Sequence, residues 1–295
     1  MHLFMTNITK YITILLVVVC GVGASAQSFG VRAGLNYSTF RGPLESEAES
    51  FGLAGGFHFG VNYSYHVSDL FSVVFELGYT QNGTKQSYNG DSYYIVRSQS
   101  VTAFVPGTRN MDISISNGYL MFPVIANYKV SDKIEVFGGA YANVLVSPTG
   151  RGEVEFLQSA VVDSMVNHVV FKQSLDYNYR SDEALGQAQL SNQRDIGVFI
   201  DGNEVFFPKV AGAYYQQSTK RANLMNTIDV GLIAGFNYFL NKGFYTGVRV
   251  EYGLTDITDT RVDASLESLD ATNNIIYRED RDTHLGVNVS VGFRF

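Results

Sequence analysis

Tryptophan is absent from the 295 residues and cysteine occurs once. A single cysteine, Cys20, rules out a disulfide framework. Long apolar runs are missing too: no stretch reaches the ~18 to 20 continuous apolar residues of a transmembrane helix. If the chain crosses a membrane, it does so with strands. Basic residues are in deficit, 21 Lys and Arg against 28 Asp and Glu, a net charge of −7, which excludes a general nucleic-acid binder. Without tryptophan, an aromatic girdle at a membrane interface must come from the 19 Tyr and 21 Phe, which can sit at the same depth.

At the N-terminus, Lys10 precedes an apolar run over 11–19 and small residues ending Ala24-Ser25-Ala26. This is the pattern of a secretory signal peptide, 1–26, cleaved before Gln27, and it predicts export. Val19 before Cys20 is too large for a lipoprotein signal, so lipidation is not expected. Removal of 1–26 leaves a cysteine-free chain, 27–295, with a net charge of −8.

The C-terminus alternates strictly. From Thr283 to Phe295 one face holds Leu285, Val287, Val289, Val291, Phe293 and Phe295, and the other His284, Gly286, Asn288, Ser290, Gly292 and Arg294. Side chains of a strand point alternately to opposite faces, so one face suits lipid and the other a wet interior. Phe293 and Phe295 are the candidate C-terminal membrane-insertion signal. Seven more runs share this period, over 29–39, 55–67, 71–81, 118–130, 133–146, 227–240 and 243–254. Only Ser68-Asp69-Leu70, Ser131-Asp132 and Asn241-Lys242 separate three consecutive pairs of them, while the other four connections run from about 15 to about 80 residues. Short turns on one rim and long loops on the other are characteristic of outer-membrane barrels. The chain therefore reads as all-β, an eight-stranded antiparallel up-and-down transmembrane β-barrel with long extracellular loops.

Alternation also assigns the interior. Arg32, His58, Glu76, Asp229, Arg249, Glu251 and Arg294 fall on inward faces, with Asn36, Asn62, Asn237 and Asn288. Eight strands enclose space only for their own side chains, so these groups should pair with one another and fill the lumen, which argues against a porin. A lipocalin-like soluble barrel would show the opposite pattern, apolar inside.

The segment Tyr119-Leu120-Met121-Phe122-Pro123-Val124-Ile125-Ala126-Asn127-Tyr128-Lys129 resembles a strand of the PorT-like outer-membrane β-barrel family. Pieces at 136–141, 229–235 and 249–257 match that family at the expected places. The resemblance implies the fold, the cell outer membrane, and insertion by the barrel assembly machinery. Some members are linked to protein secretion, and most have no assigned activity. Met121 stands where the family pattern often has Glu, so one interior carboxylate is missing.

No catalytic constellation, cofactor motif or metal site is predicted. His58 and His66 are read as lumen-facing on one strand, roughly 27 Å apart, too far to share a metal. His168 lies in the longest loop and His284 at the start of the last strand. Acids in the first outer loop (Glu45, Glu47, Glu49) and the last (Asp256, Asp259, Asp263, Glu267, Asp270, Glu279, Asp280, Asp282) lack the spacing of a calcium loop and read as a solvated surface. The loop over 147–226 is far longer than closure requires. Within it, 198–207 reads as a hairpin turning at Asp201-Gly202 or Gly202-Asn203. The loop is expected to extend the wall above the membrane rather than add two strands to it. Phe199, Phe206, Phe207, Tyr214 and Tyr215 form a candidate contact surface, or alternatively a cap on the rim. The expected role is a non-enzymatic scaffold or binding protein acting through its outer loops, as a subunit of an envelope or secretion assembly or as a receptor for an external ligand. The expected partners are outer-membrane lipid and an envelope protein or ligand, with no nucleic acid. A lipid-modifying enzyme is the alternative, and a small channel comes third.

Overall fold

The computed structural model describes residues 27–97, 102–158, 170–187, 195–200 and 202–295. The expected signal peptide, 1–26, and His168 lie outside the described residues. All regular elements described are strands. In chain order they are β1 (Gln27–Arg41), β2 (Glu49–His66), β3 (Phe71–Arg97), β4 (Thr102–Lys129), β5 (Ile134–Gln158), β6 (Val170–Asn178), β7 (Ile196–Ile200), β8 (Asn203–Phe207), β9 (Val210–Ala211), β10 (Ile228–Phe239), β11 (Phe244–Gly253), β12 (Ala264–Leu269), β13 (Ile275–Tyr277) and β14 (Thr283–Arg294).

Eight of them pair in a ring. The order β10-β11-β14-β1-β2-β3-β4-β5 is completed by pairing of β5 with β10, and every step is antiparallel. These are the eight strands that the alternation marks. The tight turns form where Ser and Asn can bond their own backbone. Ser68 Oγ accepts from the Phe71 amide at 3.1 Å, and Asn241 Oδ1 accepts from the Phe244 amide at 2.7 Å. The two ends of the described chain meet at this same rim, where the Phe295 amide donates to the Phe29 carbonyl at 2.7 Å.

Three strands greatly outgrow the ring. β3, β4 and β5 have 27, 28 and 25 residues, against 12, 10 and 12 for β10, β11 and β14. At ~3.3 Å per residue, β4 reaches roughly 90 Å, about three times the thickness of a hydrocarbon core. The segment between 81 and 118, expected as loop, is therefore mostly strand. The side chains of β4 show why. Outward residues Leu120, Phe122, Val124 and Tyr128 are apolar and exposed, whereas farther up the same face carries Asn110, Asp112, Ser114 and Ser116. The inward face above Asn117 is Met111, Ile113 and Ile115, all buried. The strand continues, and the polarity of its faces reverses.

A one-residue irregularity opposite Gly118 and Tyr119 marks that level. Below it β5 pairs with β10 through Val144, and above it β5 pairs with β6 from Thr149. β6 carries β9 in parallel, and β7 and β8 form a separate hairpin turning at Gly202, whose φ of 78° favours a residue without Cβ. The described residues of 147–226 thus build a head on one side of the ring, and none of their strands is inserted into it. The main apolar core lies in this head and includes Tyr94, Ile113, Phe156, Phe171, Val205, Phe207 and Tyr215, while the ring interior holds only a small cluster of Val74, Ile125, Phe137, Tyr141 and Ile233.

Candidate functional site

Three polar or cavity-forming groups lie along the axis. At the turn-bearing rim an open vestibule of about 1020 Å³ is flanked by the Arg294 and Glu135 pair, bonded at 2.7 and 2.8 Å. Above it the lumen is occupied. Glu76 accepts from Arg249 at 2.8 and 2.9 Å and from Arg32 at 3.2 Å, and all three side chains are at most 7% exposed. Arg32 also bonds His58 Nε2 at 3.1 Å, and His58 Nδ1 meets Asn36 Oδ1 at 2.5 Å. Asn36 Oδ1 only accepts, so the imidazole donates through Nδ1 and accepts at Nε2. Glu251, 3.8 Å from Arg249 and held by Asn288 at 2.7 Å, brings two carboxylates to two guanidinium groups. The void among these side chains is about 20 Å³, room for roughly one water. Asp229, 1% exposed, accepts from Thr255 at 3.2 Å at the upper end of this interior.

In the head, β3, β4, β5 and β6 present one face to residues 211–217 and to the start of β12. The cavity between them measures about 140 Å³ and is lined by Tyr93, Tyr94, Arg109, Tyr177, Tyr214 and Gln217 among others. The cap is tied down by its phenols. Tyr93 Oη donates to the Ser265 carbonyl at 2.8 Å, Tyr214 Oη to the Tyr179 carbonyl at 2.6 Å, and Tyr215 Oη to the Arg97 carbonyl at 2.8 Å; Tyr94 Oη donates to Gln173. Burial pushes the Tyr93 phenol up to about 12 and holds the Tyr94 phenol well above the ordinary tyrosine value, so both stay neutral at physiological pH. Arg109 is 4% exposed and lies over the Tyr93 and Tyr94 rings at 5.8 Å from each centroid.

The last outer connection closes the head from the other side. Glu45 accepts from Ser265 Oγ and from the Leu266 amide at 2.8 Å. Arg278 pairs with buried Glu49 at 3.3 Å and with Asp280. Among the described residues, Asp263, Asp280 and Asp282 are the one trio of acids whose oxygens approach within 4.8 Å of one another, close enough to share a hard divalent cation. Arg278 already supplies a countercharge there. Burial and the neighbouring Asp280 push Asp282 up to about 6, and burial raises Asp263 as well.

The structure corrects two expectations, one on the outer-loop acids and one on the contact residues. His66 keeps the inward face of β2 and lines the vestibule at the turn-bearing rim, where it is open to solvent. Glu49 and Asp282, expected in solvent, are 2% and 3% exposed, because the first and last connections pack against each other: Glu49 pairs with Arg278 and Asp282 accepts from Thr258 at 3.2 Å. His284 is buried at 3%, on the inward face that alternation gives it. Of the proposed contact residues, only Phe199 and Phe206 are surface groups, at 51% and 52% exposed; Phe207, Tyr214 and Tyr215 are at most 3% exposed. Alternation along β8 explains the split, since Val205 and Phe207 turn inward where Phe206 turns out. Phe293 and Phe295 lie outward at 40% and 75% exposed, their rings 5.1 Å apart. Arg109 and Gln217 escaped the sequence reading. The Met111, Ile113, Ile115 alternation beside Arg109 was the available signal that this segment is a strand with a buried face.

The inverted wall, apolar outward and charged inward, defines a protein of the outer-membrane β-barrel class. Residues 25–259 match the family model described as outer membrane protein beta-barrel domain, and the chain belongs to that family. Its place is accordingly the outer membrane. No curated protein matches the chain in sequence. Among solved structures it is similar to Ail, the attachment invasion locus protein of Yersinia pestis, at 9% identity over 92% of this chain and 100% of that one, TM-score 0.34. Neisserial surface protein A gives 12% identity, the same two coverages and TM-score 0.35. The outer membrane protease OmpT from Escherichia coli gives 7% identity over 93% and 99%, TM-score 0.33. Likeness at this level says nothing of ligand or activity.

Proposed function

We propose that the ring is an eight-stranded, side-chain-filled transmembrane barrel and that the protein is a non-enzymatic binding scaffold whose work is done by its head, on the extracellular side. One observation carries this reading: three strands continue far past the ring into a structure with its own apolar core and a capped cavity. Anchoring alone would need none of it, and a long elaborated outer region is where recognition is placed on a rigid scaffold. The filled lumen speaks against conduction, since the void at the Glu76 level takes about one water. The PorT-like resemblance at 119–129 favours a partner within an envelope assembly, and Phe199 and Phe206, exposed on one face of the hairpin in diagonal register, suit its docking. Cross-linking in intact cells with tagged protein tests this, comparing wild type with a chain lacking 196–207. A partner captured by wild type and lost from the inserted, shortened chain is the expected result. Equal capture by both, or none by either, overturns the reading of the hairpin as the docking element.

A further inference from the structure

Two arginines line the head cavity, and they differ in their company. Arg278 faces Glu49 and Asp280. Arg109 has no carboxylate within ion-pair distance among the described residues, although it is the more deeply buried of the two. Its one hydrogen bond there runs from a terminal nitrogen to the Tyr93 carbonyl at 2.5 Å, and its Nε has no acceptor. A buried guanidinium without an anion is costly unless something else supplies the charge. The neutral rings of Tyr93 and Tyr94 offset only part of that cost, because their phenols do not ionise near neutral pH. A second lining residue is unsatisfied in the complementary sense. Gln217, 6% exposed, donates through Nε2 to the Val262 carbonyl at 3.3 Å, which orients its amide, and leaves Oε1 buried without a donor. One cavity therefore offers an unpaired cation and an unused acceptor between tyrosine faces.

We propose that this cavity binds a compact aromatic hydroxy acid, with its carboxylate on Arg109, its hydroxyl donating to Gln217 Oε1 and its ring against the tyrosines. The volume of about 140 Å³ suits one six-membered ring, since about 150 Å³ admits benzene. The tyrosine lining provides offset or edge contacts for such a ring, and a guanidinium can hold a carboxylate through two parallel bonds. The proposal rests on the head being the binding part of the molecule and names what the interior of that part takes.

Calorimetry on the purified full chain in detergent tests it with three probes: 4-hydroxybenzoate, 4-hydroxybenzamide, which lacks the charge, and benzoate, which lacks the donor. Binding of 4-hydroxybenzoate, with both other probes weaker by about tenfold or more, is expected. In Arg109→Gln the preference for acid over amide should vanish, and in Gln217→Leu the preference for 4-hydroxybenzoate over benzoate should vanish. The mobility difference between unheated and boiled samples reports folding of each variant. If Arg109→Gln does not fold, Arg109→Lys keeps the charge without the fork, so acid binding weakens while the preference over amide persists. Absence of binding to folded wild type, the result for a cavity that holds only water, overturns the proposal, as does an acid preference that survives Arg109→Gln. Failure here with partner capture intact would leave the reading of the hairpin as docking element standing, and ligand binding without partner capture would remove that reading alone.

Discussion

The ring and the head are built from the same strands with opposite insides. In the ring, Arg32, Glu76 and Arg249 occupy the interior while Leu120, Phe122 and Val124 face out. In the head, Met111, Ile113, Val154 and Phe156 are interior, and Ser114, Arg151, Glu153 and Glu155 face out. β4 passes through both without a break. The difference teaches that a strand's alternation fixes only which residues share a face, and the surroundings decide which face is the core. Where lipid takes the outer face, the lumen must satisfy polar groups by pairing them. Where water takes it, ordinary apolar burial returns.

The sharpest break in this contrast is Glu76→Ala, which leaves Arg32 and Arg249 facing each other in the lumen. A loss of about 3–5 kcal/mol is expected on removing one member of such a buried set, read as a lowered urea midpoint in lipid vesicles. An unchanged midpoint would mean that the charges are hydrated rather than mutually dependent. Next comes a pair of substitutions ten residues apart on one face of β4. Val124→Arg should destabilise the lipid-embedded protein by about 2–4 kcal/mol, whereas Ser114→Arg should shift it by less than about 0.5 kcal/mol. Equal effects would refute a membrane boundary near Gly118.

A gentler probe uses pH on the head alone. Asp282 is pushed up to about 6 and Asp263 is raised in the folded state. A carboxyl that holds its proton better when folded adds stability that is complete below about pH 4, its ordinary range. That contribution is lost as pH rises through about 6. Hydrogen exchange at the Ile257 and Asp282 amides should accelerate over that interval while the ring amides stay protected. Uniform behaviour of both regions would show that the two are one cooperative unit. The smallest expected effect on stability is from Phe199→Ser with Phe206→Ser, about 0.5 kcal/mol or less for each exposed site, together with loss of the cross-linked partner.

Much of the ring was legible because its signal is local. Period-2 alternation, the Ser and Asn turns and the inward set from Arg32 to Arg294 need only neighbours in sequence to be read. The eight strand positions and the interior assignment of Glu76 and Arg249 came from that. The head was less legible for the same reason. The segment between 81 and 118 alternates as well, but its polar outer face reads as loop to anyone looking for lipid-facing residues. Phe207, Tyr214 and Tyr215 belong to short pieces whose inward side is defined by β3 and β6, distant in sequence. Glu49 and Arg278 are 229 residues apart, and nothing in either segment announces the other.

What the sequence determined by itself is the wall: which residues face out, which face in, how many strands there are and which rim carries the turns. Side-chain direction along a strand is a property of the covalent chain, so no partner needs to be known. Tertiary structure alone decided the head. That Arg109 on β4 and Gln217 from the cap line one cavity, and that Asp263 meets Asp282 at the close of the last connection, depends on loops returning over the sheet. Whether a charge ends beside its counterion or stays unpaired in a cavity is settled by that return path, which is a matter of packing and not of period.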